Sequence, residues 1–159
     1  MMNRLAKKYV HIMTPYLIID QSMITALTFA AKRGVDVKLI LPNIPDKKFV
    51  FALAKSHYKE LLKAGVRIYE YTPGFVHAKI FTSDDEKAVV GTINLDYRSL
   101  YLHFECAAFL YQVEEIAEIG KDFQRTLEKC QEVTLENRKK GTFFLRLEGW
   151  LLKWLAPLM

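Results

Sequence analysis

The order of strand-like and helix-like segments in the first half of the chain constrains the fold more than any other feature. Three short apolar runs, each bounded by turn residues, predict buried strands at Tyr9–Met13, Val35–Leu41 and Val66–Tyr71. Two segments between them carry apolar residues at helical spacing. The first begins after Asp20 or Ser22 and ends at Gly34, and the second begins at Asp46 and ends at Gly65. Because strands alternate with helices, we expect an α/β domain whose mixed, mostly parallel sheet is flanked by helices.

The middle of the chain predicts a β-hairpin. Two short runs, His77–Thr82 and Lys87–Thr92, flank a four-residue acidic turn. We expect Thr82 to pair with Lys87 across this turn. Side chains two residues apart on a strand share a face, so the hairpin gathers polar side chains of both strands at its open end.

The rest of the chain predicts one more strand, a helix and a separate terminal segment. The apolar run Phe104–Tyr111 has the composition of a continuous buried strand, and residues 114–132 carry apolar side chains at helical spacing. The stretch 137–141, rich in basic residues, then separates the last segment. We therefore expect one domain over residues 1–136 and an amphipathic helical segment over residues 137–159.

The terminal segment combines a broad apolar face with two tryptophans, Trp150 and Trp154. Tryptophan on the apolar face of such a helix favours the headgroup boundary of a bilayer, which makes the segment a candidate interfacial anchor. A terminal helix that packs on its own domain explains the same pattern equally well. Neither terminus shows the run of about 20 apolar residues that spans a membrane.

Basic residues are concentrated in the first half of the chain. Residues 1–72 carry twelve Lys and Arg against five Asp and Glu, whereas residues 73–159 carry eleven against thirteen, which gives net charges of +7 and −2. This asymmetry favours an anionic substrate, a membrane surface or a nucleic acid, although a merely solubilising surface has the same charge. The two cysteines, Cys106 and Cys130, are too few for a disulfide scaffold and wrongly spaced for a zinc site.

We expect a cluster of polar side chains at the open end of the hairpin. His77 and Lys79 share a face, and Asn94 has the parity of Thr92 on the facing strand. An ammonium group and an amide donate to phosphate oxygens, whereas an imidazole can attack phosphorus or move a proton. No set of metal-ligating residues accompanies this cluster in the sequence, so we expect a metal-free mechanism without a cofactor. The alternative is a half-exposed strand with ordinary polar residues.

Glu105 interrupts the apolar run that predicts a buried strand. A buried carboxylate is costly unless it is hydrogen-bonded or paired, and the imidazole of His77 is an economical partner. In that arrangement Glu105 holds His77 in one tautomer, with the other ring nitrogen facing the substrate. The alternative is a carboxylate at a strand end that pairs with Arg98.

These residues form a motif with fixed spacing. His77-Ala78-Lys79, Asp84 and Gly91-Thr92-Ile93-Asn94 match the HxKx4Dx6GSxN signature, and on that ground the sequence resembles the phospholipase D superfamily. Thr92 replaces the usual serine and keeps the hydroxyl. The flanking segments, among them Leu61–Tyr71, resemble bacterial cardiolipin synthases over nearly the whole chain. The similarity is to the C-terminal half of those enzymes, which contains the second of two such motifs.

The resemblance implies a phospholipase D-like domain and a ping-pong phosphatidyl transfer. One motif histidine attacks the phosphodiester to give a phosphohistidine, and an acceptor hydroxyl, that of phosphatidylglycerol in cardiolipin synthases, then displaces the enzyme. By this resemblance His77 is the nucleophile or the general acid, and general acid–base catalysis of this kind contributes roughly 10²–10⁴-fold to the rate. The residues assigned to phosphate binding and support are Lys79, Asn94, Thr92 and Glu105, the last as the orienter of His77.

Asp84 belongs to the same catalytic motif but lies at the far end of the predicted hairpin. Strand residues at about 3.3 Å each separate it from His77 by roughly 23 Å. We therefore expect a structural role, either as an Asx-type turn residue or as a contact with a neighbouring half.

The chain has one copy of the motif, whereas the superfamily's site combines two. The resemblance therefore implies a second half, supplied by a homodimer mate or by an N-terminal half missing from this chain. It also implies an anionic phospholipid substrate such as phosphatidylglycerol. The expected location is the bacterial cell membrane, with the chain peripheral on the cytoplasmic side.

Two other functions remain compatible with the sequence. One is a homodimeric phosphodiesterase or nuclease of the same superfamily, and the other is a catalytically silent fragment that acts as an interaction module. Basic residues interleaved with aromatic residues for base stacking are not evident, so we expect no nucleic-acid partner.

Overall fold

The computed structural model describes residues 6–44 and 46–139. The strands in these residues are β1 (Tyr9–Met13), β2 (Leu17–Ile18), β3 (Asp36–Pro42), β4 (Arg67–Tyr71), β5 (Ile80–Ser83), β6 (Lys87–Gly91), β7 (Leu95–Asp96), β8 (Ala107–Tyr111) and β9 (Cys130–Val133). The helices are α1 (Gln21–Lys32), α2 (Lys48–Lys63), α3 (Glu115–Leu127) and the short α4 (Leu135–Lys139), with one turn of π-helix at Arg98–Leu102. None of these helices is long and apolar enough to cross a bilayer. Residues 140–159 of the predicted terminal segment lie outside the described residues.

The first half of the chain folds close to the prediction. β1 occupies the predicted residues, and α1 begins at the predicted cap, where the Asp20 carboxylate accepts the Met23 N–H at 2.8 Å. Gly34 and Gly65 follow the ends of α1 and α2 with φ values of +88° and +95°. Glycine adopts this left-handed conformation without the steric penalty that other residues incur, so both helices end where the sequence indicates.

A seven-stranded mixed sheet forms the centre of the domain, in the order β8-β6-β5-β1-β3-β4-β9. The pairs β1–β3 and β3–β4 are parallel, as the alternation of strands and helices predicts. The other four pairs of the described sheet are antiparallel, so the expectation of a mostly parallel sheet is wrong. The reason is the short connection between strands such as β5 and β6, because a parallel crossover needs a dozen residues or more.

Helices cover both faces of the sheet around β1, β3 and β4. α1 and α2 pack on one face, where Leu27 and Leu61 join Leu39 in the larger apolar core. α3 packs on the other face, where Phe123 joins Ile40 in a second core. Leu39 and Ile40 are neighbours on β3 and point to opposite faces, as the pleat of a strand requires. The result is a three-layer α/β/α domain.

The hairpin differs from the prediction by one residue in register, and its strands are shorter at the open end: β5 begins at Ile80, after His77 and Lys79, and β6 ends at Gly91, before Thr92. Ser83, rather than Thr82, lies opposite Lys87. The turn is tighter than expected because Asp84 and Asp85 both adopt a φ of +58°. Aspartate tolerates this left-handed conformation better than most residues, and two such residues turn the chain within a short loop.

Two elements near the end of the described chain also differ from the prediction. The run predicted as a buried strand at Phe104–Tyr111 is shorter and forms the exposed edge strand β8, in which Phe109 is 60% exposed. The helix predicted over 114–132 ends at Leu127, and Cys130–Val133 forms β9 instead. β9 pairs with β4, whose open edge offers unpaired backbone N–H and C=O groups.

Candidate active site

The motif residues other than Asp84 lie at the edge of the sheet where β1, β3 and β4 end. β5 runs antiparallel to β1, so His77 and Lys79, which precede β5, lie at this edge. β6 runs antiparallel to β5, so Thr92 and Asn94, which follow β6, lie at the same edge. Open α/β sheets bind ligands outside the carboxyl ends of their parallel strands, and this cluster occupies that position.

His77 and Lys79 form a close pair. The Lys79 Nζ donates to the His77 carbonyl oxygen at 2.8 Å and lies 3.1 Å from each nitrogen of the His77 ring. His77 is exposed, whereas Lys79 is partly buried. Burial lowers the pKa of the Lys79 ammonium, although the charges of Glu105 and Asp96 act in the opposite direction. The pair therefore presents an accessible imidazole beside a positive charge, which suits attack on an anionic phosphoryl group.

Thr92 joins the end of β6 to the beginning of β8. Its N–H donates to the Cys106 carbonyl oxygen at 2.9 Å, and its Oγ1 accepts the Cys106 N–H at 3.0 Å. The Thr92 hydroxyl also donates to Glu105 Oε2. The two strands approach so closely that a Cβ at Gly91 would collide with the Cys106 carbonyl oxygen and with Ala107. The motif thus needs a glycine and then a hydroxyl for reasons of packing and hydrogen bonding.

Glu105 does not pair with His77 in this chain. Hydrogen bonds from two hydroxyls, that of Thr92 foremost, hold the pKa of the Glu105 carboxyl below its ordinary value. Within the described residues His77 makes no hydrogen bond to Glu105, and Arg98 instead donates to the His103 ring at 3.1 Å. Glu105 precedes an exposed edge strand, so the buried environment that favoured the imidazole as its partner does not exist. Its contact with the cluster runs through Thr92.

Asn94 has a buried side-chain oxygen without a partner among the described residues. The backbone beside it is fixed, because the Leu95 N–H donates to Thr14 Oγ1 at 3.3 Å and β7 pairs with β2. A buried amide group in a folded protein normally has a hydrogen-bond partner. The Asn94 side-chain oxygen is therefore free among these residues to accept a hydrogen bond from a donor outside them.

Asp84 lies at the other end of β5, away from this cluster. Its carboxylate accepts the backbone N–H groups of Lys7, Lys8 and Tyr9 at 2.8–2.9 Å. Burial alone would raise the pKa of the Asp84 carboxyl, but these three hydrogen bonds outweigh it and hold the pKa below its ordinary value. The contacts fasten the segment that leads into β1 to the β5–β6 turn, which fits the expected structural role.

Two aromatic residues beside the cluster are absent from the sequence-based prediction. The Phe75 ring lies 5.8 Å from the His77 ring, and the Tyr16 ring lies 6.5 Å from the Phe75 ring. The two-residue spacing of Phe75 and His77 is a signal that the sequence contains. Tyr16 follows β1, and only the parallel sheet brings its loop to this edge.

The cluster is suited to an anion rather than to a metal ion. Among residues 6–44 and 46–139, no three or more His, Cys, Asp or Glu side chains are arranged to hold a cation. The Lys79 ammonium next to His77 also repels a cation at that position.

Comparison with known proteins identifies one family. The family model described as cardiolipin synthase, PLD-like domain, matches residues 2–127. Similar proteins include the cardiolipin synthases of Halalkalibacterium halodurans and Clostridium perfringens, which are 41% and 42% identical over 97% of this chain. An uncharacterized protein of Streptococcus mutans is 58% identical over the same share. The chain spans about a third of the length of these relatives, between 31% and 33%.

Solved structures share the fold at low sequence identity. The phosphatidylserine synthase of Haemophilus influenzae has a TM-score of 0.73 at 16% identity, over 97% of this chain and 40% of that one. The phospholipase D family member Nuc of Salmonella typhimurium has a TM-score of 0.71 at 17% identity, over 83% of this chain and 86% of that one. These likenesses confirm the predicted phospholipase D-like α/β fold.

Proposed function

The chain belongs to the family of cardiolipin synthases with a phospholipase D-like domain, as its motif predicts, and from that premise we propose that it forms one half of a phosphatidyltransferase. The proposed reaction transfers a phosphatidyl group to phosphatidylglycerol through a phosphohistidine intermediate. The observation that carries the proposal is the meeting of His77, Lys79 and Asn94 at one edge of a domain whose relatives include cardiolipin synthases.

The side chains at this edge supply the chemistry of the first step. A His77 ring nitrogen attacks the phosphorus of phosphatidylglycerol, so that a P–N bond forms and the P–O bond to the headgroup glycerol breaks. The leaving alkoxide takes a proton from an acid of the second half. The Lys79 ammonium and the Asn94 amide donate to the non-bridging oxygens, whose negative charge grows in the transition state.

The second step regenerates the enzyme. The glycerol hydroxyl of another phosphatidylglycerol attacks the phosphorus and gives its proton to the base left by the first step. A new P–O bond replaces the P–N bond, and the products are cardiolipin and one free glycerol. Glu105 positions Thr92, and through it the turn that carries Asn94.

A bare part of the sheet beside the cluster supports the need for a second half. Phe81, Val89 and Phe109 lie across β5, β6 and β8 on the same face as Lys79. Phe81 packs against the larger core under α1 and α2, whereas Phe109 and Tyr111, on the edge strand β8, remain 60% and 52% exposed. A second half seated on this face would bury it and bring its own motif histidine opposite His77. A homodimer mate or another half of a longer chain could fill that position.

The proposal includes the extent of the domain and its location in the cell. We place the end of the phospholipase D-like domain near residue 136. The region that the family model matches ends at residue 127. The terminal segment 137–159 remains a candidate anchor. In this proposal the chain is a peripheral protein on the cytoplasmic side of the cell membrane, and its substrate is the anionic lipid phosphatidylglycerol.

A second candidate function is a homodimeric phosphodiesterase. The observation that favours it is the likeness in fold to Nuc, a phospholipase D family member, over 83% of this chain. Such a dimer would hydrolyse the phosphohistidine with water in place of an acceptor lipid. A catalytically silent interaction module is the third possibility.

Incubation of the purified chain with labelled phosphatidylglycerol tests the proposal, with sedimentation measured on the same sample. For a chain that sediments as a dimer or is supplied with its second half, the proposal predicts cardiolipin and glycerol from the wild type, none from His77→Asn, and normal yields from the control His103→Gln. Phosphatidic acid without cardiolipin would indicate the phosphodiesterase, and a confirmed dimer without any product would contradict both enzymatic functions. We expect a strict monomer to be inactive until the second half is supplied.

A further inference from the structure

An exposed apolar surface lies at the N-terminal end of α2. Ile44 is 51% exposed, Phe49 is 41% exposed and Phe75 is 36% exposed. Lys47 and Lys48, which lie between the first two in the sequence, are exposed as well. We call these five residues the α2 patch. Exposed large apolar side chains are typical of sites of interaction, and here two of them flank two lysines at the start of α2.

Phe75 links the α2 patch to the candidate active site. Phe75 lines a narrow cleft together with Tyr16, Asp46 and Val50, which places it beside the loop that leads into α2. The Tyr16 hydroxyl donates to Asp46 Oδ2 at 2.5 Å and so fixes that loop. On its other side the Phe75 ring lies 5.8 Å from the His77 ring. A partner that contacts Phe75 therefore lies close to His77, because the two rings are neighbours.

The charges of the patch favour an anionic partner. Lys47 and Lys48 add two positive charges, while the carboxylate of Asp46 is engaged by Tyr16 and by the Lys47 backbone N–H at 2.7 Å. Lysine stems lie along apolar surface while their ammonium groups reach outward. Aromatic and aliphatic side chains flanked by lysines have the composition that binds at the boundary between lipid headgroups and acyl chains.

We propose that the α2 patch docks this domain on an anionic lipid bilayer. Ile44, Phe49 and Phe75 enter the boundary of the acyl chains, and the two lysines contact headgroup phosphates. Because Phe75 adjoins His77, docking brings the phosphate layer to the nucleophile, and the lipid need not leave the membrane to react. This inference rests on the proposed function for its choice of phosphatidylglycerol, but its test measures binding and not turnover.

Quenching by brominated lipid locates the patch directly. Phe49→Trp is made in the full chain with Trp150→Phe and Trp154→Phe, so that one tryptophan reports. Phe29→Trp in the same background is the matched control, because Phe29 is 52% exposed with the Arg33 guanidinium 4.9 Å from its ring centre, and it lies on α1. Vesicles of phosphatidylglycerol with brominated phosphatidylcholine should quench the tryptophan at position 49 and leave that at position 29 unquenched.

Flotation with the same vesicles gives a second measurement on other variants. Phe49→Ser should weaken binding roughly tenfold, because a partly exposed aromatic side chain no longer enters the apolar layer. Lys47→Gln and Lys48→Gln should each weaken it about fivefold on phosphatidylglycerol vesicles and leave binding to neutral phosphatidylcholine vesicles unchanged. Phe29→Ser should bind like the wild type.

Each outcome decides the proposal. Equal quenching at positions 49 and 29, no quenching at position 49, or a chain that does not float would overturn it. An unquenched position 49 in a chain that does float would assign lipid binding to another segment and the α2 patch to a protein partner. Quenching at position 49 in a dimeric chain, or a chain supplied with its second half, that makes no cardiolipin would refute the proposed function and leave the docking surface standing.

Discussion

Replacement of Asp84 by asparagine tests whether this motif residue has a structural role. In Asp84→Asn the Lys7 N–H faces an amide NH2 group, and the N–H groups of Lys8 and Tyr9 bond to a neutral oxygen. Hydrogen bonds to a charged group contribute about 1.5–3 kcal/mol each, and neutral ones about 0.5–1.5 kcal/mol. Asp84 is 8% exposed, so water replaces little of what is lost. We expect the free energy of unfolding to fall by about 3 kcal/mol.

Urea and thermal unfolding measure this change. In a domain of this size about 1 kcal/mol corresponds to roughly 2–4 °C in Tm, so Asp84→Asn should melt about 6–12 °C lower. Asp85→Asn is the matched control, because Asp85 has the same φ of +58° but is exposed and bonds to the Tyr9 hydroxyl. Its Tm should change little. Below its own Tm, Asp84→Asn should keep phosphatidyl transfer near the wild-type rate, since it lies at the end of β5 away from His77.

The pH dependence of stability examines the same contact. The folded-state pKa of Asp84 lies below its ordinary value of 3.8. A depressed pKa adds stability that is present above the unfolded-state pKa and is lost as pH falls through the folded-state pKa. The stability difference between wild type and Asp84→Asn should therefore be constant from neutral pH to about pH 4 and narrow below it. An unchanged Tm together with complete loss of activity would refute the structural role.

Three further predictions concern the candidate site. Gly91→Ala should lower stability by about 1–3 kcal/mol, because the new Cβ collides with the Cys106 carbonyl oxygen; an unchanged Tm would contradict the close approach of β6 and β8. If deprotonation of Lys79 sets the alkaline limb of the pH–rate profile, Glu105→Gln should move that limb to lower pH, because the Glu105 charge raises the pKa of Lys79. Thr92→Val keeps this charge and should leave the limb in place. Lys79→Arg should abolish this limb, since guanidinium stays protonated, and a limb that persists belongs to another group.

Much of the fold could be predicted because its determinants are local. The Asp20 cap and the glycine at residue 34 set the ends of α1 through contacts within one turn of helix. The His-x-Lys spacing keeps His77 and Lys79 close in the chain, and their side chains meet although both residues precede β5. The family could be predicted for the same reason, because its motif is a set of spacings along the chain. The match to the family model confirms that prediction.

The remaining features depend on tertiary neighbours that a sequence pattern does not specify. A run such as Phe104–Tyr111 has the same composition whether it ends in the centre of a sheet or at its edge, and here it lies at the edge. Cys130 fits a helical period in the sequence, yet its segment forms a strand because it pairs with the open edge of β4. The partner of Glu105 follows from the close approach of β6 and β8, which brings Thr92 nearer than His77.

The most direct test of the proposed chemistry is the identification of the residue that carries the phosphatidyl group. The dimeric chain, or the chain supplied with its second half, is incubated with phosphatidylglycerol labelled in the phosphate, denatured in alkali and mapped. We predict an acid-labile label on His77 that is absent from His77→Asn and retained in His103→Gln. A dimer that carries no label, or a label that survives in His77→Asn, would contradict the assignment of His77 as the nucleophile.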